Sequence, residues 1–258
     1  MVKEAPNVLA SRPATLSDRR ALDHRELADF QQQGFLKITA FCSPADIAQV
    51  RAIIDGVYAS EGREVGPQDN LLHRAPELRR SPVFQSCCAI AKQLLGRTTR
   101  YAFDQTLYKE PHGKNGTPWH QDGAFHGKFV NNTVGFWIPF QDVTAENGCM
   151  HFIPLRGRSV LLPHHPFYPN DYRSLMTDQV DASQGVSCPL SVGEATVHGP
   201  LTLHMALANQ TDFIRRTWTL TFTPWGKWAF LTPSRLLNRA RTLAAHAGWA
   251  REMRQANP

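Results

Sequence analysis

The chain has 258 residues, with 42% hydrophobic and 19% charged side chains and a formal charge of +6. It is long enough to bury a full core, and its composition argues against extended disorder. No stretch approaches the roughly 20 apolar residues of a membrane helix, and the N-terminus lacks the apolar run of a secretory signal. A soluble, cytoplasmic protein is therefore expected. The five cysteines are odd in number with no CxxC spacing, which argues against a disulfide framework or zinc knuckle. Much of the positive charge lies at Arg235, Arg239, Arg241, Arg251 and Arg254. It reads better as a solvated helix face than as a nucleic-acid surface.

In chain order, residues 1–22 read as a flexible leader before a single domain over 23–258. "HRELADFQQQGFLKITAF" predicts a short helix, a stop at Gly34 and a strand. "SPADIAQVRAIIDGVYA" predicts a helix with Ser43 as cap, Pro44 at its first position and Ile47, Val50, Ile53 and Ile54 as its apolar stripe. "GREVGPQDN" reads as a loop. "SPVFQSCCAIAKQLLG" repeats the helix pattern, from Ser81 and Pro82 to Gly96. Period-two alternation then predicts strands in "TRYAFDQTLYKE", "TVGFWIPFQDV", "CMHFIP", "EATVH", "PLTLHMAL" and "RRTWTLTFTP". Residues 156–190 read as a long lid-like insertion with little regular pattern. "PSRLLNRARTLAAHAGWAREMRQ" predicts a final helix. Helices followed by many short strands imply a mainly β fold, a sandwich or barrel with flanking helices, with a jelly roll favoured.

Within "TPWHQDGAFHG", His120 and Asp122 lie two apart, and on a strand such residues point the same way. That offers two metal ligands at once. For a third, "VHGPLTLHMALANQTDFIRR" offers His198 and His204. If "ANQTD" closes a hairpin centred between Asn209 and Gln210, His204 lies opposite Arg215, with Cβ atoms about 4.5–5.5 Å apart. A guanidinium beside a metal ligand implies an anion between them. A keto-diacid such as 2-oxoglutarate fits, one end on the metal and the other gripped bidentately by Arg215. Two His and one carboxylate form the facial triad of non-haem Fe(II) oxygenases, leaving positions for 2-oxoglutarate and O2. Retention of Asp122 favours oxygenation over halogenation. A zinc hydrolase using the same three ligands is the alternative. It leaves Arg215 unexplained and lacks an obvious general-base Glu. A nucleic-acid-acting oxygenase and a non-catalytic jelly-roll binding module are further alternatives.

"PWHQDG", "TAENGCMHFIP" and "LHMALANQTDFIRR", with "ADFQQQGFLKI" and "LYKEP", resemble the motifs of the phytanoyl-CoA dioxygenase family over about residues 25–225. The resemblance implies a double-stranded β-helix, Fe(II) bound by His120, Asp122 and His204, and 2-oxoglutarate held by Arg215. It further implies cosubstrate contacts from Gln105 and Trp137. Gln105 lies on an alternating strand where an inward polar group needs a partner, and Trp137 reads equally as core. The chain departs from the family pattern at Ala206, where a hydroxyl residue is usual, and at "PLRG", Pro154 to Gly157. The expected activity is oxidation of a small-molecule C–H bond, with hydroxylation foremost and natural-product biosynthesis as its setting. Phe125, Phe129 and Tyr168 are candidates for the substrate wall.

Overall fold

The computed structural model describes residues 21–62, 68–114, 116–126, 132–157, 159–169 and 171–224. The first helix, α1 (His24–Gln33), opens with a capping box. Asp23 accepts from the Glu26 backbone N–H, and the Glu26 carboxylate accepts from that of Asp23. It ends at Gly34, whose φ of 80° is the left-handed conformation that stops helices. Strand β1 (Phe35–Ile38) follows directly. Helix α2 (Pro44–Ser60) carries the predicted Ser43 cap and a capping box with Asp46. Its buried stripe is Ile47, Val50, Ile54 and Tyr58. Ile53 packs at the edge of the core.

Part of the predicted loop instead pairs as β2 (Gln68–Asp69). A short helix α3 (Leu71–Arg74) and a 3-10 turn (Pro76–Arg80) precede α4 (Pro82–Leu95). Ser81 caps α4, accepting from the Phe84 N–H, and Gly96 follows its last turn.

The rest is mainly strand: β3 (Arg100–Lys109), β4 (Thr117–His120), a one-turn α5 (Gly123–His126), β5 (Val134–Pro139) and β6 (Met150–Ile153). Then come β7 (His165–Tyr168), β8 (Asp171–Met176), β9 (Val186–Cys188), β10 (Ala195–His198), β11 (Leu203–Ala206) and β12 (Arg215–Thr223). A major sheet has the order β1-β10-β5-β12-β3-β2 and a minor sheet the order β4-β11-β6-β9. All pairs in them are antiparallel. This is the expected jelly roll, or double-stranded β-helix.

Alternation along the strands divides the apolar side chains between two cores. Val134, Phe136, Ile138, Val197, Trp218, Leu220 and Phe222 face outward from the major sheet, against α2, α3 and α4. Each such large side chain contributes about 1.5–3 kcal/mol when fully buried. Trp218 also donates its indole N–H to the buried Asp104 carboxylate at 3.0 Å. The opposite face turns inward. Trp137 and Phe35 meet Met150, Phe152, Cys188 and Ala206 of the minor sheet in a second cluster. Phe35 and Phe152 stack at 4.4 Å.

Four expectations need correction. The leader's proposed boundary cuts into the fold, because Leu22 is buried and its backbone N–H and C=O both bond Gln93. Residues 156–190 are not structureless: they hold the β7–β8 hairpin, a 3-10 turn (Ala182–Gln184) and β9. The HxD motif does not lie on one strand, since β4 ends at His120 and Asp122 sits in the turn entering α5. Finally, β11 and β12 do not form a hairpin. His204 lies opposite His120 and Phe152 in the minor sheet, and Arg215 lies opposite Lys109 in the major one. Residues 207–214 arch from one sheet to the other. Buried Asn209 shapes that arch, donating to Lys109 O and Phe213 O and accepting from Thr211. The predicted final helix, most of the leader and Phe129 lie outside the described residues.

Candidate metal and cosubstrate site

The inner faces of the two sheets bring the predicted ligands together by a different route from the expected hairpin. His120 ends β4, and His204 lies beside it in register on β11. Their ring centroids are 4.1 Å apart. Asp122 enters from the turn after β4, its Oδ1 lying 3.8 Å from His120 Nε2 and 3.7 Å from His204 Nε2. One donor atom from each residue lies within 4.8 Å of the other two. Both imidazoles are almost fully buried, while the Asp122 side chain is 26% exposed, so the cluster opens on its carboxylate side.

The second contacts of each imidazole fix its tautomer. His120 Nδ1–H donates to Pro118 O at 2.8 Å, and His204 Nδ1–H donates to Thr202 O at 2.9 Å. Both Nε2 lone pairs therefore point at the cluster centre, the arrangement expected of metal-binding histidines. Burial pushes both imidazole pKa values down, so the rings are neutral and able to ligate. Burial works against charge on Asp122 too, but the hydrogen bond that His198 Nε2 makes to Oδ2 favours the carboxylate, whose pKa is lowered. The site offers two neutral nitrogens and one anionic oxygen.

Arg215 lies further along the interior between the two sheets. Strand β5 shows the spacing. Gly135 on its inner face adjoins the cluster: a Cβ built there would lie 3.4 Å from Asp122 Oδ2. Trp137, about 7 Å further along the strand, has the Arg215 guanidinium carbon 5.3 Å from its ring centroid. Arg215 is 1% exposed. Its Nη1 donates to Leu107 O at 3.1 Å and Thr217 Oγ1 at 2.9 Å, while its buried Nε has no partner. No acidic side chain pairs with it among the described residues. Burial pushes its pKa down to about 10, with only Cys149 acting against the shift. A buried guanidinium short of both a hydrogen-bond acceptor and a counter-charge fits a missing anion.

Gln105 and Trp137 flank Thr219 in one row across the inner face. Lys109, opposite Arg215, spans the sandwich to donate to Ala206 O and Leu207 O. It occupies the neighbourhood of Ala206, where the family pattern has a hydroxyl. Phe125 sets its ring edge-on to His120 at 5.8 Å. Tyr168 lies on the exposed hairpin, 43% accessible, with Phe167 at 4.7 Å. It is not among the residues that converge on the cluster.

Three participants escaped the sequence reading. Gln121, between the two HxD residues, is buried. Its side chain bonds Val160 O, Leu201 O and Leu162 N–H, and its backbone N–H donates to His164 Nε2. It thus clasps the start of the insertion onto the metal-binding turn. His198, a rival ligand by sequence, instead contacts Asp122. Gly135 looked like an ordinary strand residue within "VGFW".

A two-imidazole, one-carboxylate face with an unneutralised guanidinium buried in the same interior defines the class: a non-haem Fe(II) oxygenase dependent on 2-oxoglutarate. The family model described as Phytanoyl-CoA dioxygenase (PhyH) matches residues 30–217, and the chain belongs to that family. It is 25% identical over 256 residues to phytanoyl-CoA dioxygenase domain-containing protein 1 of Mus musculus, covering 90% of this chain and 86% of that protein. Among solved structures it is similar to EvdO2 from Micromonospora carbonacea var. aurantiaca complexed with 2-oxoglutarate. The identity is 30% and the TM-score 0.72, over 78% of this chain and 91% of that one. It is also similar to SnoK, a non-heme alpha-ketoglutarate-dependent carbocyclase from nogalamycin biosynthesis. There the identity is 25% and the TM-score 0.65, over 83% of this chain and 87% of that one. These likenesses set aside the zinc-hydrolase alternative. No helix among the described residues is long and apolar enough to cross a membrane.

Proposed function

We propose that His120, Asp122 and His204 hold Fe(II), that Arg215 anchors the distal carboxylate of 2-oxoglutarate, and that the enzyme oxidises an unactivated C–H bond of a small molecule. Iron and 2-oxoglutarate, when bound, supply with O2 an oxidant strong enough to take hydrogen from such a bond, leaving succinate and CO2. The residues of this chain prepare the ground for that chemistry. Pro118 O and Thr202 O hold the two imidazoles in the ligating tautomer. The single carboxylate of Asp122 lowers the charge of a divalent ion to a net +1. Arg215, seated on Trp137 and tethered to Thr217, presents a preoriented, buried cation, and a charge-assisted pair is strongest away from bulk water. Gln105 and Trp137 line the cosubstrate's end of the cavity.

The observation that carries this reading is the buried, unneutralised Arg215 of the major sheet, facing the same interior as the His/Asp/His cluster of the minor sheet. A purely structural role would have given it an acidic partner.

The substrate end lies towards Phe125, whose ring sits edge-on to His120. Hydroxylation is the foremost outcome, with desaturation, epoxidation or cyclisation set by substrate pose. A role in natural-product biosynthesis is supported by the likeness to SnoK, whose description places it in nogalamycin biosynthesis. We further assign the protein to the cytoplasm as one domain that includes Leu22. Its cysteines, Cys42, Cys87, Cys88, Cys149 and Cys188, are all unpaired, which suits a reducing compartment. Two assays test the reading. Anaerobic addition of Fe(II) and 2-oxoglutarate should raise a weak visible charge-transfer band, and succinate release should increase with a substrate from a broad metabolite panel. Absence of the band at saturating iron and cosubstrate would remove the reading.

A further inference from the structure

We propose that His198 is a positioning residue for the metal centre: its Nε2–H holds Asp122 Oδ2 so that only Oδ1 faces the ion, and Gly135 is kept small to leave room for that contact. The inference rests on the assignment of Asp122 as a ligand.

His198 lies 4.3 Å from the His204 ring, centroid to centroid, so proximity alone makes it a rival ligand. Its hydrogen bonding separates it from His120 and His204. Those two donate from Nδ1 to a backbone carbonyl two residues earlier, freeing Nε2. His198 has no such bond, and its buried Nδ1 is without a partner. Its Nε2 lies 3.1 Å from Asp122 Oδ2. A carboxylate oxygen only accepts, so Nε2 carries the proton and has no lone pair for a metal. The two oxygens of Asp122 are thereby divided. Oδ1 faces the two ligand imidazoles, while Oδ2 is engaged by His198.

That division has a chemical consequence. A carboxylate free to rotate can bind an ion through both oxygens. Bidentate binding would occupy a coordination position that cosubstrate and dioxygen need. A donor on Oδ2 holds the carboxylate to one bond and keeps three positions available.

Gly135 is an independent sign of the same requirement. It lies directly opposite His198 in the β10–β5 pair. Its φ is not positive, so its backbone does not call for glycine. A Cβ there would lie 3.1 Å from His198 Nε2 and 3.4 Å from Asp122 Oδ2. In a strand otherwise built of Val134, Phe136, Trp137, Ile138 and Pro139, the missing side chain makes space at the His198–Asp122 bond.

The test compares wild type with His198→Phe, His198→Gln and Gly135→Ala, each checked for folding by thermal melting. Fe(II) affinity is measured by anaerobic titration, and the visible band is recorded with Fe(II) and 2-oxoglutarate. His198→Phe keeps the ring and removes the donor, so iron affinity should fall about 10–100-fold, with a displaced or weakened band. Glutamine carries an N–H close to the position of Nε2, so His198→Gln should recover most of both. Gly135→Ala leaves His198 in place but crowds it, and should fall between wild type and His198→Phe. The inference is overturned if His198→Phe binds iron within twofold of wild type with the same band. It is also overturned if His198→Gln is as impaired as His198→Phe, because His198 would then act as a ligand or through shape alone. Should His198→Phe not fold, the inference stands if His198→Gln binds iron within twofold of wild type while Gly135→Ala binds it more weakly than that, and is overturned if the glutamine variant loses affinity or the alanine variant is unaffected. A wild-type protein without the band removes the metal assignment itself. A normal wild-type band alongside unaffected variants removes only the role of His198.

Discussion

Replacing Arg215 with methionine should separate folding from cosubstrate binding. The side chain is 1% exposed, and burial holds its pKa at about 10. A depression of that size corresponds to about 3 kcal/mol of penalty on the charged form. Methionine fills most of the same volume without the charge. Leu107 O keeps the Thr217 hydroxyl as a donor at 2.9 Å, so no carbonyl is stranded. The variant without cosubstrate should therefore be as stable as wild type, or more stable by up to about 3 kcal/mol. Cosubstrate binding should suffer heavily, because truncating one partner of a buried charge pair costs about 2–5 kcal/mol. At 1.4 kcal/mol per tenfold, Kd for 2-oxoglutarate should rise by about thirty-fold to several-thousand-fold. At a concentration about 100 times the wild-type Kd, ligand stabilises by about 2.7 kcal/mol. That is a melting shift of roughly 5–10 °C for a domain of this size. The same concentration should move Arg215→Met by no more than about a third as far, because at a thirty-fold weaker Kd it stabilises by only about 0.9 kcal/mol. Calorimetric titration under anaerobic Fe(II), with melting curves, measures both quantities. The reasoning fails if the variant loses more than about 2 kcal/mol of stability without cosubstrate, or retains the wild-type shift.

Three further outcomes are expected elsewhere. Burial, with Arg215 adding to it, pushes the Lys109 amine down to about 7. The unfolded chain holds that proton to about pH 10.4, so the lysine should make stability rise with pH between about 7 and 10, at up to about 1.4 kcal/mol per pH unit. Lys109→Met should flatten that rise in urea melts, and parallel pH profiles would contradict it. Gln121→Leu strands Val160 O, Leu201 O and Leu162 N–H, each costing about 1–3 kcal/mol if left unsatisfied. Amide exchange over residues 160–164 should quicken, and unchanged exchange would show that the clasp is unimportant. Gly34→Ala puts a Cβ into a left-handed residue and 2.5 Å from Leu155 Cδ1. The backbone alone costs about 1–2 kcal/mol, so a total loss above 2 kcal/mol in chemical denaturation is expected; a smaller loss would mean that Leu155 moves aside freely.

Local chemistry was legible wherever one residue decides one feature. Ser43, Ser81 and Gly34 mark helix ends because a hydroxyl oxygen or a positive φ acts within a few residues. Strands were legible from alternation, and the four metal and cosubstrate candidates from residue type and spacing. Pairing was not legible, because period-two alternation is the same in a hairpin as in an arch between sheets. His204 and Arg215 face the same interior from opposite sheets, so the hairpin register that joined them does not exist in the fold. The β7–β8 hairpin was hidden by a Pro- and His-rich sequence with little alternation. The contacts of His198, Gly135 and Gln121 involve partners 39 to 80 residues away, or depend on a side chain that is missing.

The most direct test of the account is a crystal structure grown anaerobically with Fe(II) and 2-oxoglutarate. It should show one ion bound by His120, Asp122 and His204, with the distal carboxylate of the diacid on the Arg215 guanidinium. An ion held by a different set of side chains, or a diacid bound away from Arg215, would contradict it.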